Sequence, residues 1–480
     1  MEQEMDEAKL ILNGEARAKG SLGTYELVNP STEKLIARVP KAGKQEALEA
    51  VALASEGFSE WSAVSPFDRS KVLRKAADIM RASVDAAATD MTLEQGKPLA
   101  QAKGEWLASA DCLDWFAEEG RRTYGRLIPS RLQNISWAVH RRPIGPVAAF
   151  TPWNFPAWTP MQKIAPALAA GCSIVLKPAE QTPTTAWRIC QALLDAGLPP
   201  KALSLIWGDP AEISSVLVQA PEIRKLSLTG STRVGRALAG AAGGQLKKVT
   251  MELGGHAPVI IARDADIARV VALSKDWKFR NAGQVCVSPT RFLVEAPLYE
   301  KFVSDFTEAV ENITVGDGLS PDTDMGPLAT PEQLAKITRL VDDAQTNGAQ
   351  ITTGGSRIGD NGWFFSPTVI ADATPKIQVM NEEPFGPIAL ISRMENLDAA
   401  IDEANRLPVG LASYAFTDNA NTQQKIVNGL RAGMLAINHF ALALPETPFG
   451  GVLDSGLGSE GGIEGIEAYF SPFLVSTKAF

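Results

Sequence analysis

The sequence predicts an α/β protein with at least two domains, each built around a largely parallel sheet. Its 480 residues exceed what one ordinary core accommodates. From residue 143 onward, short β-branched or apolar runs alternate with helical patterns, which is typical of βαβ units. Residues 45–120 instead carry apolar residues at helical spacing with few breakers, so they predict several helices.

The first strand-and-helix series covers residues 143–251. Strands are predicted in PVAAFTPW, CSIVLKP, ALSLIWG and IRKLSLTG. Helices are predicted between them, near Met161 to Ala170 and in TTAWRICQALLDAG, AEISSVLVQA and STRVGRALAGAA. This order indicates a Rossmann-like layout, and we assign residues 1–120 to the same domain.

A second series, residues 252–434, starts in VTMELGG and APVIIA and continues through RFLVEA, FFSPTVIA and PIALISRM. The domain boundary is therefore expected near Glu252. Residues 121–142 and 460–480 fit neither series, and we predict that they form strands that pair outside their own domain. Unpaired sheet edges favour association, so a homodimer or homotetramer is expected.

The charge of the chain argues against several classes of partner. A net charge of −9 and an isoelectric point near 5.2 disfavour nucleic acid and anionic membranes, which select basic surfaces. The longest apolar run, IAPALAAGCSIVL, is too short to span a bilayer. The N-terminal MEQEMDEAKLIL lacks the regions of a signal peptide. We therefore expect a cytoplasmic protein.

One cysteine differs from the other three. No C-x-x-C spacing occurs and the histidines are scattered, so no metal site is expected. Cys112, Cys172 and Cys190 lie in helical or strand-like runs, which is typical of buried packing residues. Cys286 is instead surrounded by polar residues and glycine in NAGQVCVSPT.

Cys286 and Glu252 together predict a nucleophile and a base for a carbonyl substrate. A thiol attacks a carbonyl as thiolate or beside a base, and hydrolysis of the resulting thioester needs an activated water. The Glu252 carboxylate in MELGGHAP can serve both steps. A hydrolase or acyltransferase without a cofactor would use the same pair, so these two residues leave both classes open.

Two glycine patterns bear on nucleotide binding. Gly456, Gly458 and Gly461 form G-x-G-x-x-G with no βαβ unit after them, which predicts a flexible loop. Residues 229–235, TGSTRVG, have Walker spacing but lack the Lys and Ser/Thr that hold phosphate and magnesium. They do end a strand and open a helix, where free backbone N–H groups favour a pyrophosphate.

Six segments occur in the order seen in the NAD(P)-dependent aldehyde dehydrogenase superfamily, which the chain resembles over nearly its whole length. Cys286 follows Glu252 by 34 positions (286 − 252), as that family requires. The surroundings of Cys286 are most similar to the succinic and 2-oxoglutaric semialdehyde dehydrogenases. The segments are TPWNFP (151–156), LKPAEQTP (176–183), LTGSTRVG (228–235), MELGGHAP (251–258), NAGQVC (281–286) and EEPFGP (382–387).

The resemblance implies an aldehyde-dehydrogenase-like fold of three parts. These are a Rossmann-like NAD(P)-binding domain (1–120 and 143–251), an α/β catalytic domain (252–434) and a small β oligomerisation region (121–142 and 460–480).

The resemblance also implies the oxidation of an aldehyde to its acid. Cys286 would form a thiohemiacetal whose oxyanion is held by the Asn154 amide and the Cys286 backbone N–H. Hydride transfer to a nicotinamide leaves a thioester, and Glu252 then activates the water that releases the acid. Relatives that transfer the acyl group to coenzyme A tend to lack this Glu.

The cofactor contacts follow from the same segments. Lys177 and Glu180 match ribose-hydroxyl ligands, and Ser231 matches a pyrophosphate contact. Because a carboxylate at Glu180 would repel a 2′-phosphate, NAD is expected to be preferred, while Lys177 is compatible with NADP. The full predicted set is Thr151, Pro152, Trp153, Lys177, Glu180, Gly230, Ser231, Leu253, Glu383 and Phe385.

The predicted substrate contacts leave two substrate classes open. Arg280 is expected to bind the carboxylate of a semialdehyde, since a guanidinium fork suits it. Gln162 stands where the succinic semialdehyde enzymes have a second Arg, and Ser288 where they have a second Cys. Trp158 and Phe440 could instead line an apolar entrance for an aromatic or longer aldehyde. His256 and Leu453 replace lysines of the family, and we assign them no role.

Overall fold

The structure, a computed structural model, describes Met5 and residues 7–479. Residues 45–120 form four helices, which confirms the prediction from their periodicity. The helices are α1 (Lys44–Ser62), α2 (Pro66–Ala82), α3 (Val84–Gln95), α4 (Leu99–Glu119), α5 (Trp158–Ala170), α6 (Pro183–Asp195), α7 (Pro210–Gln219), α8 (Thr232–Gly244), α9 (Ile267–Phe279), α10 (Tyr299–Glu311), α11 (Pro331–Thr346), α12 (Leu397–Ala404), α13 (Ala420–Gly429) and α14 (Gly462–Glu467).

The central strands of the two large sheets are short and mostly buried on both faces, as expected where helices cover parallel sheets. They are β1 (Leu10–Leu12), β2 (Glu15–Arg17), β3 (Thr24–Val28), β4 (Leu35–Pro40), β5 (Arg126–Ile128), β6 (Ile135–Pro143), β7 (Val147–Phe150), β8 (Ile174–Lys177), β9 (Leu203–Leu205), β10 (Lys225–Thr229), β11 (Lys248–Glu252), β12 (Pro258–Ile261), β13 (Arg291–Glu295), β14 (Gln350–Thr353), β15 (Thr368–Ala371), β16 (Ile388–Met394), β17 (Val409–Gly410), β18 (Ala412–Phe416), β19 (Met434–Ile437), β20 (Val452–Leu453), β21 (Gly456–Leu457) and β22 (Phe470–Lys478).

The first large sheet has the order β2-β1-β9-β8-β7-β10-β11-β21. Its five central strands, β9, β8, β7, β10 and β11, run parallel to one another. The strands at the two edges are added by antiparallel pairing. This arrangement confirms the Rossmann-like series predicted from the alternation of strands and helices. β11 pairs with β10 here, so VTMELGG is the last parallel strand of this sheet and does not open the second series.

The second large sheet has the order β14-β15-β16-β13-β12-β18-β19 and is parallel except at the β14 edge. Its strands and helices enclose an apolar core separate from that of the first sheet. The parallel series therefore resumes at β12, after the loop that follows Glu252.

A third sheet joins the two segments that fit neither series. β22 pairs antiparallel with β6 from Phe470↔Pro143 to Lys478↔Ile135, and β5 lies on the other side of β6. Within residues 460–480 the strand begins only at Phe470, because Gly462–Glu467 is the short helix α14. Across Met5 and residues 7–479, no helix has both the length and the apolar character needed to cross a bilayer.

The polar segments that follow the parallel strands of the first sheet lie at one edge. Phe150, Lys177, Thr229 and Glu252 are the last residues of β7, β8, β10 and β11. In an open parallel sheet, ligands bind outside the carboxyl ends of the strands. The fold therefore brings TPWNFP, LKPAEQTP, TGSTRVG and MELGG to a common edge.

Helix α1 packs closely on the turn before β9, and a glycine-to-alanine substitution, which adds one methyl group, tests how close this packing is. A Cβ added at Gly57 would lie 2.1 Å from the Lys201 carbonyl oxygen, whereas a Cβ at Gly240 in α8 would meet nothing within 4 Å. We expect Gly57→Ala to lower the unfolding midpoint. Gly240→Ala should raise stability by about 0.5 kcal/mol, because helical alanine is favoured over glycine.

Thermal denaturation of both variants beside the wild type measures the difference. An equal or higher midpoint for Gly57→Ala would contradict the close packing of α1 on this turn.

Candidate active site

A cavity of about 580 Å³ opens between the two large sheets. All three predicted catalytic residues line it: Cys286, Glu252 and Asn154. The lining also includes most of the predicted cofactor and substrate residues, namely Pro152, Trp153, Gly230, Ser231, Leu253, Glu383, Phe385, Trp158, Gln162 and Arg280.

Three predicted cofactor residues are not in the lining but follow the carboxyl edge of the first sheet. The Thr151 N–H donates to the Lys177 carbonyl oxygen at 3.2 Å. The buried Lys177 forms an ion pair with Glu180. The Tyr25 hydroxyl donates to the Glu180 carbonyl oxygen at 2.8 Å, which holds the backbone of this loop.

Two predicted substrate residues do not reach the cavity. Phe440 is buried in the core, where its ring packs on Tyr414 and Phe416 with centroid distances of 4.7 and 5.2 Å. Ser288 is buried and accepts a hydrogen bond from Lys278 Nζ at 3.1 Å. The structure corrects both predictions: Ser288 lies where the chain turns into the core after Cys286, and Phe440 packs into the core of the second sheet just after β19.

The loop before Cys286 has an unusual backbone. Asn281, Ala282 and Gly283 have consecutive positive φ angles of 50°, 52° and 71°. Left-handed conformations cost about 1–2 kcal/mol for each residue with a Cβ, so surrounding contacts must hold this turn. At Gly283 a Cβ would lie 2.2 Å from the Gly386 carbonyl oxygen, so only glycine fits there.

Asn154 is hydrogen-bonded to this loop through both its side-chain amide and its backbone carbonyl. Its Nδ2 donates to the Gln284 carbonyl oxygen at 3.0 Å. Its backbone carbonyl accepts from Lys97 Nζ at 2.8 Å and from Asn281 Nδ2 at 2.9 Å. Lys97 is itself buried in an ion pair with Glu105. The Asn154 amide therefore lies next to the chain segment that carries the thiol, where a developing oxyanion could be stabilised.

Burial dominates the electrostatics of the nucleophile. The pKa of Cys286 is raised to about 12, mainly by burial and in smaller part by the Glu383 and Glu252 carboxylates, while Arg280 opposes the shift. The thiol is therefore protonated at neutral pH, and its attack on a carbonyl requires a base.

Glu252 has the properties of that base. Its side chain is only 2% exposed, and neither carboxylate oxygen has a hydrogen-bond partner within the described part of the chain. Burial raises the pKa of Glu252 well above its usual range, and Glu460 adds to the effect while Lys163 opposes it. A carboxylate with a raised pKa is a stronger proton acceptor near neutral pH.

Glu460 also lines the cavity, although it is not among the predicted site residues. It forms an ion pair with Lys163, whose Nζ also donates to Thr229 Oγ1 at 2.6 Å. Glu460 stands about 200 residues after Glu252 in the printed sequence, and no local pattern connects them.

The predicted nicotinamide side of the site is closely packed. Burial raises the pKa of Glu383 to about 7, and the Gly255 N–H donates to its carboxylate. A Cβ at Gly254 would lie 2.7 Å from Glu383 Oε2, so the glycine permits this approach. Trp153 and Phe385 meet edge to face with centroids 5.6 Å apart.

The start of α8 suits a pyrophosphate. Ser231 caps this helix by accepting from the Val234 N–H at 3.4 Å, and Gly230 and Ser231 both line the cavity. Together with Lys177 and Glu180 at the same edge of the sheet, these residues fit a dinucleotide.

Arg280 is a cation without a counterion at the cavity wall. Its guanidinium lies 4.2 Å from the Trp277 ring centroid and 5.9 Å from that of Phe155, and it forms no ion pair with any described residue. Among the described residues, none hydrogen-bonds its buried Nε. Gln162 is 2% exposed, and neither polar atom of its amide has a partner in the described part of the chain. Unpaired buried polar groups of this kind are costly unless a ligand or water binds them.

Comparison with known proteins gives a consistent result. The sequence profile of the aldehyde dehydrogenase family matches residues 17–474. A 4-(hydroxymethyl)benzenesulfonate dehydrogenase of Comamonas testosteroni is 42% identical over 461 residues, which cover 96% of both chains. A succinate semialdehyde dehydrogenase of Acinetobacter baylyi is 40% identical over 443 residues, covering 92% of both chains.

Solved structures agree with these sequence matches. A succinate-semialdehyde dehydrogenase from Burkholderia pseudomallei superposes with a TM-score of 0.97 at 38% identity, over 100% of this chain and 99% of that one. A betaine aldehyde dehydrogenase from Staphylococcus aureus in complex with NAD+ gives a TM-score of 0.95 at 32% identity, over 98% and 95% of the two chains.

The raised pKa of Cys286 predicts slow alkylation in the absence of ligands. Between pH 6.5 and 9.5, the rate constant for iodoacetamide at Cys286 should rise about tenfold per pH unit without a plateau, since the thiolate fraction grows throughout this range. Mass spectrometry of the labelled peptide measures this rate. The Cys286→Ala variant serves as the control, because the other three cysteines are buried.

A plateau below pH 9 would mean that the thiol has an ordinary or lowered pKa, and would contradict the electrostatic description of Cys286.

Proposed function

This chain belongs to the aldehyde dehydrogenase family, and we propose that it oxidises an aldehyde bearing a distant carboxylate to the acid, with NAD(P)+ as hydride acceptor. The observation that carries the proposal is the convergence of Cys286, Glu252, Asn154 and the unpaired Arg280 on one cavity. A hydrolase or acyltransferase would not need the Lys177–Glu180 pair at the edge of a Rossmann-like sheet.

Glu252 removes the proton from the Cys286 thiol, and the sulfur attacks the carbonyl carbon of the aldehyde. The oxygen of the resulting thiohemiacetal lies within reach of the Asn154 amide and the Cys286 backbone N–H, which stabilise its negative charge. Lys177, Glu180 and Ser231 would hold NAD(P)+, which would supply the acceptor for the hydride that leaves this carbon. Glu252 releases the thiol proton to solvent and then takes a proton from the water that attacks the thioester. It returns this proton to the Cys286 sulfur as the acid leaves.

Arg280 selects the charge of the substrate. The Trp277 and Phe155 rings hold its guanidinium without neutralising it, so its hydrogen-bonding capacity remains available to a carboxylate. Gln162 offers a neutral amide where a second guanidinium would give a stronger charge clamp. This combination favours a substrate with one terminal anionic group.

A second candidate substrate is an aromatic aldehyde. Phe155, Trp158 and Phe449 line the same cavity, and apolar surface predominates in its lining. A relative with 42% identity is a 4-(hydroxymethyl)benzenesulfonate dehydrogenase. An aromatic aldehyde with a sulfonate or carboxylate group would satisfy both Arg280 and these rings.

For the cofactor we propose a preference for NAD over NADP. The Glu180 carboxylate at the end of β8 would accept hydrogen bonds from ribose hydroxyls and repel a 2′-phosphate. Its ion pair with Lys177 weakens this repulsion, so NADP is also expected to bind.

We further propose a cytoplasmic homo-oligomer assembled through the three-stranded sheet. Leu127 and Leu474 on β5 and β22 are 82% and 58% exposed, which is unfavourable in a monomer. The proposed division of labour is NAD(P) binding by residues 1–120 and 143–251, catalysis by 252–434, and association by 121–142 and 460–480.

The role of Arg280 is tested by its replacement with methionine. We expect kcat/KM for succinic semialdehyde to fall about 10- to 100-fold, because a charge-assisted hydrogen bond is lost. The same variant should oxidise hexanal as well as the wild type does. NADH formation with succinic semialdehyde, hexanal, benzaldehyde and a carboxylated benzaldehyde measures both effects.

Equal losses for charged and uncharged aldehydes would assign Arg280 a purely structural role. A wild-type preference for hexanal and unsubstituted benzaldehyde would exclude the anionic substrate altogether.

The role of Glu252 is tested by Glu252→Gln, which keeps the shape of the side chain but cannot accept a proton. We expect the steady-state rate to fall about 10²- to 10⁴-fold. Because the variant also lacks the base that deprotonates Cys286, the thioester should accumulate on Cys286 only at high pH, where hydroxide supplies the thiolate. Quenching within the first turnover and intact-mass spectrometry would detect the acyl group. Cys286→Ala should show neither turnover nor adduct. A variant that turns over normally and accumulates no adduct would remove Glu252 from the hydrolytic step.

A further inference from the structure

Gln95 lies behind the active site and does not line the cavity. It is the last residue of α3 and is 0% exposed. Its Nε2 donates to Asn281 Oδ1 at 2.9 Å, and its Oε1 accepts from the Lys97 N–H at 3.0 Å. Both hydrogen bonds are buried, so both polar ends of the Gln95 amide are satisfied.

The direction of this short chain of hydrogen bonds is fixed at both ends by the backbone. The Lys97 N–H can only donate, so the Gln95 oxygen must face it and the Gln95 NH₂ must face Asn281. Asn281 must therefore present its oxygen to Gln95. Its NH₂ then points to the carbonyl oxygens of Asn154 and Gln284, at 2.9 and 3.3 Å, which can only accept.

We propose that Gln95 is a positioning residue for the oxidation: its amide sets the orientation of the Asn281 amide, which holds the Asn154 backbone beside the Cys286 loop. The inference rests on the proposed function, in which Asn154 stabilises the oxyanion. Asn281 has a left-handed backbone, and its side chain also donates to the Gln284 carbonyl oxygen in the turn that leads to Cys286.

Gln95 would act across the molecule, because it lies in a helix of the N-terminal region and contacts a residue far away in the chain. α3 packs with α4 and α6 against the first sheet, whereas Asn281 precedes the nucleophile at the carboxyl end of α9. Gln101 in α4 accepts from the Asn281 N–H at 2.8 Å, so two residues of the helical region hold Asn281. Gln101 contacts only the Asn281 backbone, whereas Gln95 contacts the Asn281 side-chain amide and holds it in the orientation that the Asn154 and Gln284 carbonyl oxygens require.

Gln95→Glu tests the polarity of the contact. The carboxylate still accepts from the Lys97 N–H but, when ionised, has no proton for Asn281 Oδ1. We expect kcat to fall about 10- to 100-fold, because a displacement of about 1 Å near the reacting atoms has an effect of this size. The dissociation constant for NAD should change by less than about twofold, because Gln95 does not line the cavity.

The pH dependence separates positioning from general damage. A protonated carboxyl group at residue 95 can donate to Asn281, so the ratio of variant to wild-type kcat should be highest at low pH and fall as the pH rises through the pKa of the new group. Gln95→Met lacks donor and acceptor at every pH, and its ratio should be low and constant. The ionisable neighbours, Glu94, Lys97, Glu105 and Arg280, are common to all variants, so the ratio removes their titration.

Two further variants complete the experiment. Gln191→Glu adds the same charge on the surface of α6 and should keep wild-type kcat. Asn281→Asp keeps the oxygen that accepts from Gln95 but, when ionised, loses the donor to the Asn154 carbonyl oxygen. It therefore breaks the next hydrogen bond of the same chain and should show the same fall in the kcat ratio with pH, which keeps the test decisive if a residue-95 variant does not fold.

Wild-type kcat in both Gln95 variants, or a pH-independent ratio for both carboxyl variants, would overturn the inference. A wild-type protein that oxidises none of the aldehydes would instead overturn the proposed function, so the two failures are distinguishable.

Discussion

The contact on which the site depends is the Asn154 carbonyl oxygen, which accepts one hydrogen bond from each half of the molecule. Lys97 Nζ reaches it from the loop between α3 and α4, and Asn281 Nδ2 reaches it from the end of α9. Two large sheets with separate apolar cores meet across the cavity near this contact. The Asn154 carbonyl oxygen joins the Cys286 loop to the edge of the first sheet, close to Glu252 and the Asn154 side-chain amide.

The second organising factor is the low polarity of the cavity. Burial raises the pKa values of Cys286, Glu252 and Glu383 together, so three acids share a site with little water to stabilise their anions. Such a site disfavours a resting thiolate, which would be open to oxidation. Charge separation becomes favourable when a polar substrate and a cationic nicotinamide enter. Arg280 and Gln162 are also buried in this cavity, with polar atoms that no described residue hydrogen-bonds, so a polar ligand can bind them.

The features that could be predicted from the sequence are those that neighbouring residues determine. The helices of residues 45–120, the parallel series and the family resemblance are confirmed, because periodicity and motif spacing are encoded locally. Sequence reasoning did not find Glu460 or Gln95, whose neighbours lie far away in the chain. It placed Phe440 and Ser288 at the cavity, whereas the turn after Cys286 buries Ser288 and the rings of Tyr414 and Phe416 bury Phe440. Proximity to a motif does not determine which face of a loop a side chain occupies.

The contact of Gly283 with the Gly386 carbonyl oxygen joins two loops that are usually considered separately. One carries the thiol, and the other carries Glu383 and Phe385. Neither backbone can move without the other, because no side chain lies between them to absorb a shift. For an engineer who alters the cofactor side of this enzyme, the nucleophile is thus part of the same mechanical unit.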